Sequence, residues 1–316
     1  MSNKTKLIIL FILALLFSGL FIFYNLGSNL AYILPRRGAI VLAIIITGAA
    51  IAFSTVVFQT ITNNRILTPS IIGLDSLYLL IQTFLIFVFS SASFLVMNKH
   101  VNFLISAVLM VIFASLFYKL LFNREGRNIY FLLLVGIVLG TLFSSISTFM
   151  QVLIDPNEFF VVQDRMFASF NNINTDILWL TIIIFALVTA LSWKYIKFLD
   201  VLSLGRDEAV NLGVDYEHVV KRLLIVVAVL VSISTALVGP ITFLGLLVAN
   251  VTYEFLKTYK HSYLIVGSIL VSIVALVSGQ FLVERVFTFS TTISVIINFI
   301  GGVYFIYLLL RGNKSW

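Results

Sequence analysis

The sequence contains no cysteine, so disulfide scaffolds, thiolate metal sites and cysteine nucleophiles are excluded, and the redox compartment cannot be read from it. Charge is also scarce. Only 10% of the 316 residues are Asp, Glu, Lys or Arg, against roughly a quarter in ordinary soluble domains. The histidines, His100, His218 and His261, fall in different connecting segments without ligand spacing, a pattern that offers no metal site. No GxxxxGK[ST] run occurs, so the chain cannot cradle nucleotide phosphate in a P-loop; if ATP drives it, the motor is another polypeptide. No nucleophile–base constellation and no paired aspartates for magnesium and diphosphate emerge, which argues against an integral-membrane enzyme. The net charge of +7 is spread over many loops instead of forming a patch, so nucleic acid is not an expected partner.

What the chain does have is apolar length. It is 61% hydrophobic with a mean hydropathy of +1.13, and so much apolar surface needs lipid as its solvent. Crossing a hydrocarbon core of ~30 Å takes about 20 mostly apolar residues. Ten such stretches are predicted, near 7–24, 39–58, 71–91, 101–122, 129–153, 177–196, 219–238, 241–256, 262–283 and 291–310. The runs are continuous and lack strand alternation, which selects helices over a β-barrel. The first run is long for a signal peptide, and no small-residue cleavage site follows it, so it reads as a span. The expected fold is an all-α polytopic membrane protein, one transmembrane domain over 1–316.

With the N-terminus inside, the inner segments hold Lys4, Lys6, Arg65, Lys119, Arg124, Arg127, Lys194, Lys197, Arg206, Lys221, Arg222, Lys257, Lys260, Arg311 and Lys314. The outer ones hold Arg36, Arg37, Lys99, Arg165 and Arg285. Fifteen against five is a clear positive-inside bias, with both termini cytoplasmic. Leu223 to Tyr253 is uncharged, too long for one span and short for two. A turn at Gly239-Pro240 gives a short eighth helix and keeps Lys257 and Lys260 inside.

Several segments depart from plain spans. Residues 34–37, LPRR, are expected in the first outer loop, where Arg36 and Arg37 oppose the charge bias; their functional use would be an electrostatic dock for an acidic partner, shared with Arg285. The inner loop 198–221 is long for a connector and reads as a short polar helix between Gly205 and Gly213, a platform for a cytoplasmic protein. The outer segment 153–176 carries Asp155, Glu158, Asp164 and Asp176 among Phe159, Phe160, Phe167 and Phe170, a pattern for a short surface helix with its rings packed. Mid-span ionisable groups, which would mark an ion-coupling site, are essentially missing. Asp75 comes nearest, as a helix-start carboxylate at the inner end of the third span. Gln59 and Gln151 are candidate pathway residues, against the plainer role of hydrogen bonding between helices.

On these residues the chain resembles the FecCD-type permeases of ABC importers for iron–siderophores, haem and cobalamin. LPRR precedes Gly48-Ala49; Gln59, Asn64, Pro69 and Gly73 fall at the family's spacing; Leu204, Gly205, Ala209, Leu212, Gly213 and Val214 match its inner-loop pattern. Gly239, Ile241, Phe243, Gly245 and Leu246 match the next motif, and the tail GGVYFIYLLLR resembles the closing span. Departures are Arg65 for a proline, Ala249-Asn250 for Pro-His, and Gly279-Gln280 near a usual Ala-Asp; they resemble the branch that serves catecholate-type siderophores with two different permeases. The resemblance implies a type II ABC permease architecture in a bacterial cell membrane, paired with a second, related permease. It also implies a cytoplasmic ATPase dimer holding ATP and magnesium, and an external siderophore-binding protein. No cofactor is expected on this chain itself. By that resemblance Gly205, Arg206, Asp207, Glu208, Ala209, Leu212 and Gly213 form the ATPase-coupling loop, and Arg36, Arg37 and Arg285 dock the binding protein. The rival from another class is a ten-span secondary exporter of small metabolites, active without an ATPase. Within the family, haem or cobalamin is the alternative cargo.

Overall fold

A computed structural model describes residues 2–26, 28–122, 129–171 and 173–312, and among them every regular element is helical. The positive charges expected at Arg124, Arg127 and Lys314 lie outside the described residues. In chain order the helices are α1 (Asn3–Phe23), α2 (Leu30–Thr62), α3 (Leu74–Phe89), α4 (Phe94–Met97), α5 (Lys99–Phe122), α6 (Ile129–Leu153) and α7 (Pro156–Arg165). They continue with α8 (Thr175–Ile196), α9 (Leu199–Leu202), α10 (Arg206–Asn211), α11 (Tyr216–Val238), α12 (Leu244–Leu256), α13 (His261–Arg285) and α14 (Ile293–Gly312). Seven of these are long and apolar enough to cross a membrane, and α3, α12 and most of α14 are shorter apolar helices. Together they are the ten expected stretches.

Local chemistry sets the helix starts. Ser2, Asp155, Asn174 and Asp215 each place a side-chain oxygen on a first-turn N–H, of α1, α7, α8 and α11 respectively. Cross-contacts then order the ends. At one end Lys6 Nζ donates to Phe255 O at 2.6 Å, and Thr60 meets His261. At the other, Ser90 donates to Glu158, and Arg285 meets the carbonyl of Tyr24. The spans therefore alternate in direction. α1 starts, α10 sits and α14 ends at the first face; α7 and the start of α14 lie at the opposite face.

α2 and α11 form the buried centre. α11 packs on α2, α5 and α8; α13 lies between α1, α2 and α12; α3 pairs with α6. Close approach of small residues makes this packing tight, which matters where lipid supplies no hydrophobic drive between helices. A Cβ on Gly48 would come within 2.7 Å of Ser272 Oγ.

The structure changes two expectations. LPRR does not lie in a loop: α2 starts at Leu30, ahead of the expected 39, and takes Pro35, Arg36 and Arg37 into its N-terminal part. Pro35 is the sixth residue of the helix, past the unpartnered first-turn donors, so the helix continues through it with the bond to Ala31 O given up. The second change is the depth of α3. Gly73, at φ +87°, lies against Gly140 near the middle of α6, and a Cβ on it would come within 2.7 Å of the Gly140 Cα. Irregular chain and a single 3-10 turn, Pro69–Ile72, thus occupy the first part of the depth, and α3 begins halfway across. Asp75 stands in that first turn, so it is at mid-depth and not at the inner boundary. Thr242, just before α12, donates to its Oδ2 at 3.0 Å.

Candidate functional site

The segment 198–215 is built outward from two apolar anchors. Leu199 and Leu202 of α9 are buried in the core beneath α2 and α11, and Ala209 and Val214 are buried in the same cluster. Between them Gly205 at φ +109° and Gly213 at φ +83° supply backbone that side-chain-bearing residues rarely adopt, and so bracket the six-residue α10. With its anchors turned inward, α10 presents everything else outward. Leu204, Val210 and Leu212 are 57%, 51% and 63% exposed, and Arg206, Asp207 and Glu208 are exposed among them. Arg206 pairs at 3.3 Å with Glu217 at the start of α11. Exposed Leu204 and Leu212 thus flank a short projecting helix whose own exposed residues are charged, apart from Val210 and Asn211, so apolar and charged groups share one outward surface.

On the opposite face the expected docking arginines converge on the end of α1. Arg37 Nη1 donates to Ile22 O at 2.9 Å and Tyr24 O at 2.8 Å. Arg285 Nη2 approaches the Tyr24 carbonyl at 3.4 Å, and its guanidinium lies 5.7 Å from the Tyr24 ring. The last carbonyls of α1 are the negative end of its dipole, which is where cations belong. Arg36 is exposed, and among the described residues its hydrogen bond is a long one, to Asn171 O at 3.4 Å. Nearby, α7 is the expected surface helix. Its half-buried Glu158 takes the Ser90 hydroxyl at 2.8 Å and the Ser91 N–H at 2.6 Å, and the Ser90 bond chiefly holds its carboxyl below the usual range. Of the four rings, Phe170 is fully buried and Phe160 is 67% exposed.

Inside the body, Gln59 is buried, and its Nε2 donates at 2.6 Å to Arg65 O. Gln151 is half-buried and bonds Ser147 at 2.9 Å and Thr83 at 3.4 Å. Gln59 thus ties α2 to the loop that follows it, and Gln151 bridges α6 and α3 while remaining partly accessible. Sequence reasoning missed the hydroxyl face of α6, where Thr141, Ser144, Ser145 and Thr148 are exposed and Ser144 donates to Ser76, beside Asp75. Hydroxyls recurring at helical spacing from 141 to 148 were the available signal.

The model of the FecCD transport family matches residues 5–311. The petrobactin import system permease protein YclO of Bacillus subtilis (strain 168) is 68% identical over the whole of both chains. The Bacillus anthracis petrobactin import permeases FatC and FatD are 39% and 27% identical, over 88% and 95% of this chain and 79% and 87% of theirs. A solved metal-chelate type ABC transporter in an inward-facing conformation superposes with a TM-score of 0.85 at 22% identity, covering 98% of this chain and 100% of that one.

Proposed function

The chain belongs to the FecCD transport family, and on that premise we propose that it moves the iron complex of petrobactin, or a chelate built like it, into the cell. It is a multi-pass permease of an iron–siderophore ABC importer, a transport subunit and not an enzyme. That family placement sets aside the secondary-exporter reading, and identity to three petrobactin permeases favours a siderophore over haem or cobalamin. The observation that carries the mechanism is α10. A body without a phosphate-binding loop projects a glycine-bracketed helix of charges and Val210, flanked by the exposed Leu204 and Leu212, the kind of surface an ATPase needs.

In this reading the face bearing α10 is cytoplasmic and receives a dimer of ATPases that hold ATP and magnesium. Gly205 to Gly213 take up their closure. Arg36, with help from Arg37 and Arg285, meets acidic residues of an external binding protein. The second permease is a related, non-identical chain: the two Bacillus anthracis petrobactin permeases differ from each other in likeness to this one. The path runs between the two, opening to opposite faces in turn, beside the hydroxyls of α6. Those hydroxyls, together with Gln151 and mid-depth Asp75, offer weak polar contacts. A chelate delivered by a tight-binding carrier needs no more, since a deep site would only slow release.

The test is uptake of radiolabelled iron presented as ferric petrobactin, and separately with other siderophores, by cells lacking this chain. Loss of petrobactin uptake alone, restored by the chain in trans, is expected. Unchanged petrobactin uptake overturns the cargo.

A further inference from the structure

Beside α10 lies a polar cluster with no part in the account above, its His261 and Thr60 buried and its Asp200 about half-exposed at the rim. Asp200 Oδ1, on α9, accepts two hydrogen bonds from one residue of another helix: from the His261 backbone N–H at 2.8 Å and from His261 Nδ1 at 2.7 Å. The second ring nitrogen, Nε2, lies 2.8 Å from Thr60 Oγ1 on α2. His261 is 4% exposed. Three elements far apart in sequence thus meet on one imidazole. α13 has no capping side chain of its own, because Lys260 makes no such bond; Asp200 supplies the cap from α9.

The proton count is consistent. An ionised Asp200 requires a proton on Nδ1. The single Thr60 proton points either to Nε2, leaving the ring neutral, or to Val56 O at 2.8 Å, in which case the ring carries both protons and pairs with Asp200 as an ion. Each state satisfies the cluster, so the contact is kept in both.

Resting on the reading of α10 as the ATPase-facing element, we propose that Asp200, His261 and Thr60 form the joint through which displacement of α10 reaches α2 and α13. The chain itself connects α10 to its neighbours through Gly205 and Gly213, which act as hinges. The leucine anchors of α9 are non-directional and can slide. Short hydrogen bonds are directional, and breaking them strands the buried imidazole of His261 away from water. α2 and α13 pack along each other, so holding both at one imidazole moves them as a pair. These are positioning residues, with no contact to cargo or nucleotide.

The experiment uses the complete importer, with its partner permease, ATPase and binding protein, in proteoliposomes supplied with ferric petrobactin and ATP. In Asp200→Ala and His261→Ala the ATPase should stay bound and active while chelate moved per ATP falls about tenfold. The double variant should be no worse than either single one, as for members of one unit. Asp200→Asn keeps the accepting oxygen and should restore the ratio. Thr60→Val keeps the volume and the Asp200–His261 pair, guards against misfolded alanine variants, and should lower the ratio about threefold. A wild-type ratio in Thr60→Val or in the alanine variants, or hydrolysis and uptake falling in proportion, overturns the joint. Wild-type protein whose ATP hydrolysis ignores the loaded binding protein would instead overturn the importer reading.

Discussion

Arg36 and Arg37 are neighbours with different tasks. Arg37 ties the C-terminal carbonyls of α1 to α2 at 2.8 and 2.9 Å, whereas Arg36 stays exposed with one long contact to Asn171. Arg37→Ala should therefore lower stability by about 1–3 kcal/mol, the worth of charge-assisted bonds, seen as a lower melting temperature in detergent. Arg36→Glu should leave that melt unchanged and weaken docking of the binding protein, with the wild-type affinity falling as salt rises; equal affinity would remove Arg36 from the docking face. Gly73 is a second sharp case. At φ +87° and 2.7 Å from the Gly140 Cα, a methyl group there meets backbone that cannot yield. Gly73→Ala should cost about 1–3 kcal/mol, while Gly302→Ala, with nothing within 4 Å, should melt as wild type does. Residues that depart from the family pattern also prove to be partners. The amide of Asn250 donates at 2.9 Å to the carbonyl of Arg65, whose guanidinium lies 4.7 Å from the Tyr253 ring. Arg65 stands where a proline is usual and Asn250 where a histidine is, so the two changes meet at one carbonyl.

Among elements, α10 carries the sharpest claim. Leu212 is 63% exposed at its C-cap and touches no core, so Leu212→Asp should keep the fold and melting temperature. It should nonetheless reduce the ATPase recovered with the tagged permease about tenfold, as for a docking hot spot; undiminished recovery would move the contact elsewhere. This helix was legible because its glycines interrupt a charged stretch between apolar runs, and a period change of that kind survives any packing. The ten spans were legible for the same reason: hydropathy is a local quantity. The N-terminal limit of α2 was not, since LPRR looks like a loop by composition, and only the carbonyls at the end of α1 give its arginines a reason to lie on a helix. The depth of α3 was hidden as well. It is set by Gly73 meeting Gly140, a contact between residues far apart in sequence. Asp200, His261 and Thr60 show the limit most clearly, since each reads as an ordinary residue at a span end until tertiary packing brings them together.

For the whole molecule, everything depends on which face is cytoplasmic. Positive charge argues for the α10 face: setting aside Arg124, Arg127 and Lys314, which lie outside the described residues, still leaves twelve cations there against five opposite. The structure makes the two faces mutually exclusive, because Asn211 on α10 and Phe160 on α7 are exposed at opposite ends of the same alternating bundle. Since the chain has no cysteine, Asn211→Cys or Phe160→Cys introduces the sole thiol in the protein. A membrane-impermeant maleimide added to intact cells should label Phe160→Cys and leave Asn211→Cys untouched until the membrane is opened. Neither side chain is buried, so both variants should reach the membrane in wild-type amount, and uptake measured on the same cells shows whether the labelled protein is the working one. If Asn211→Cys reacts from outside, an ATPase cannot reach α10, and the route by which ATP would power this permease is lost.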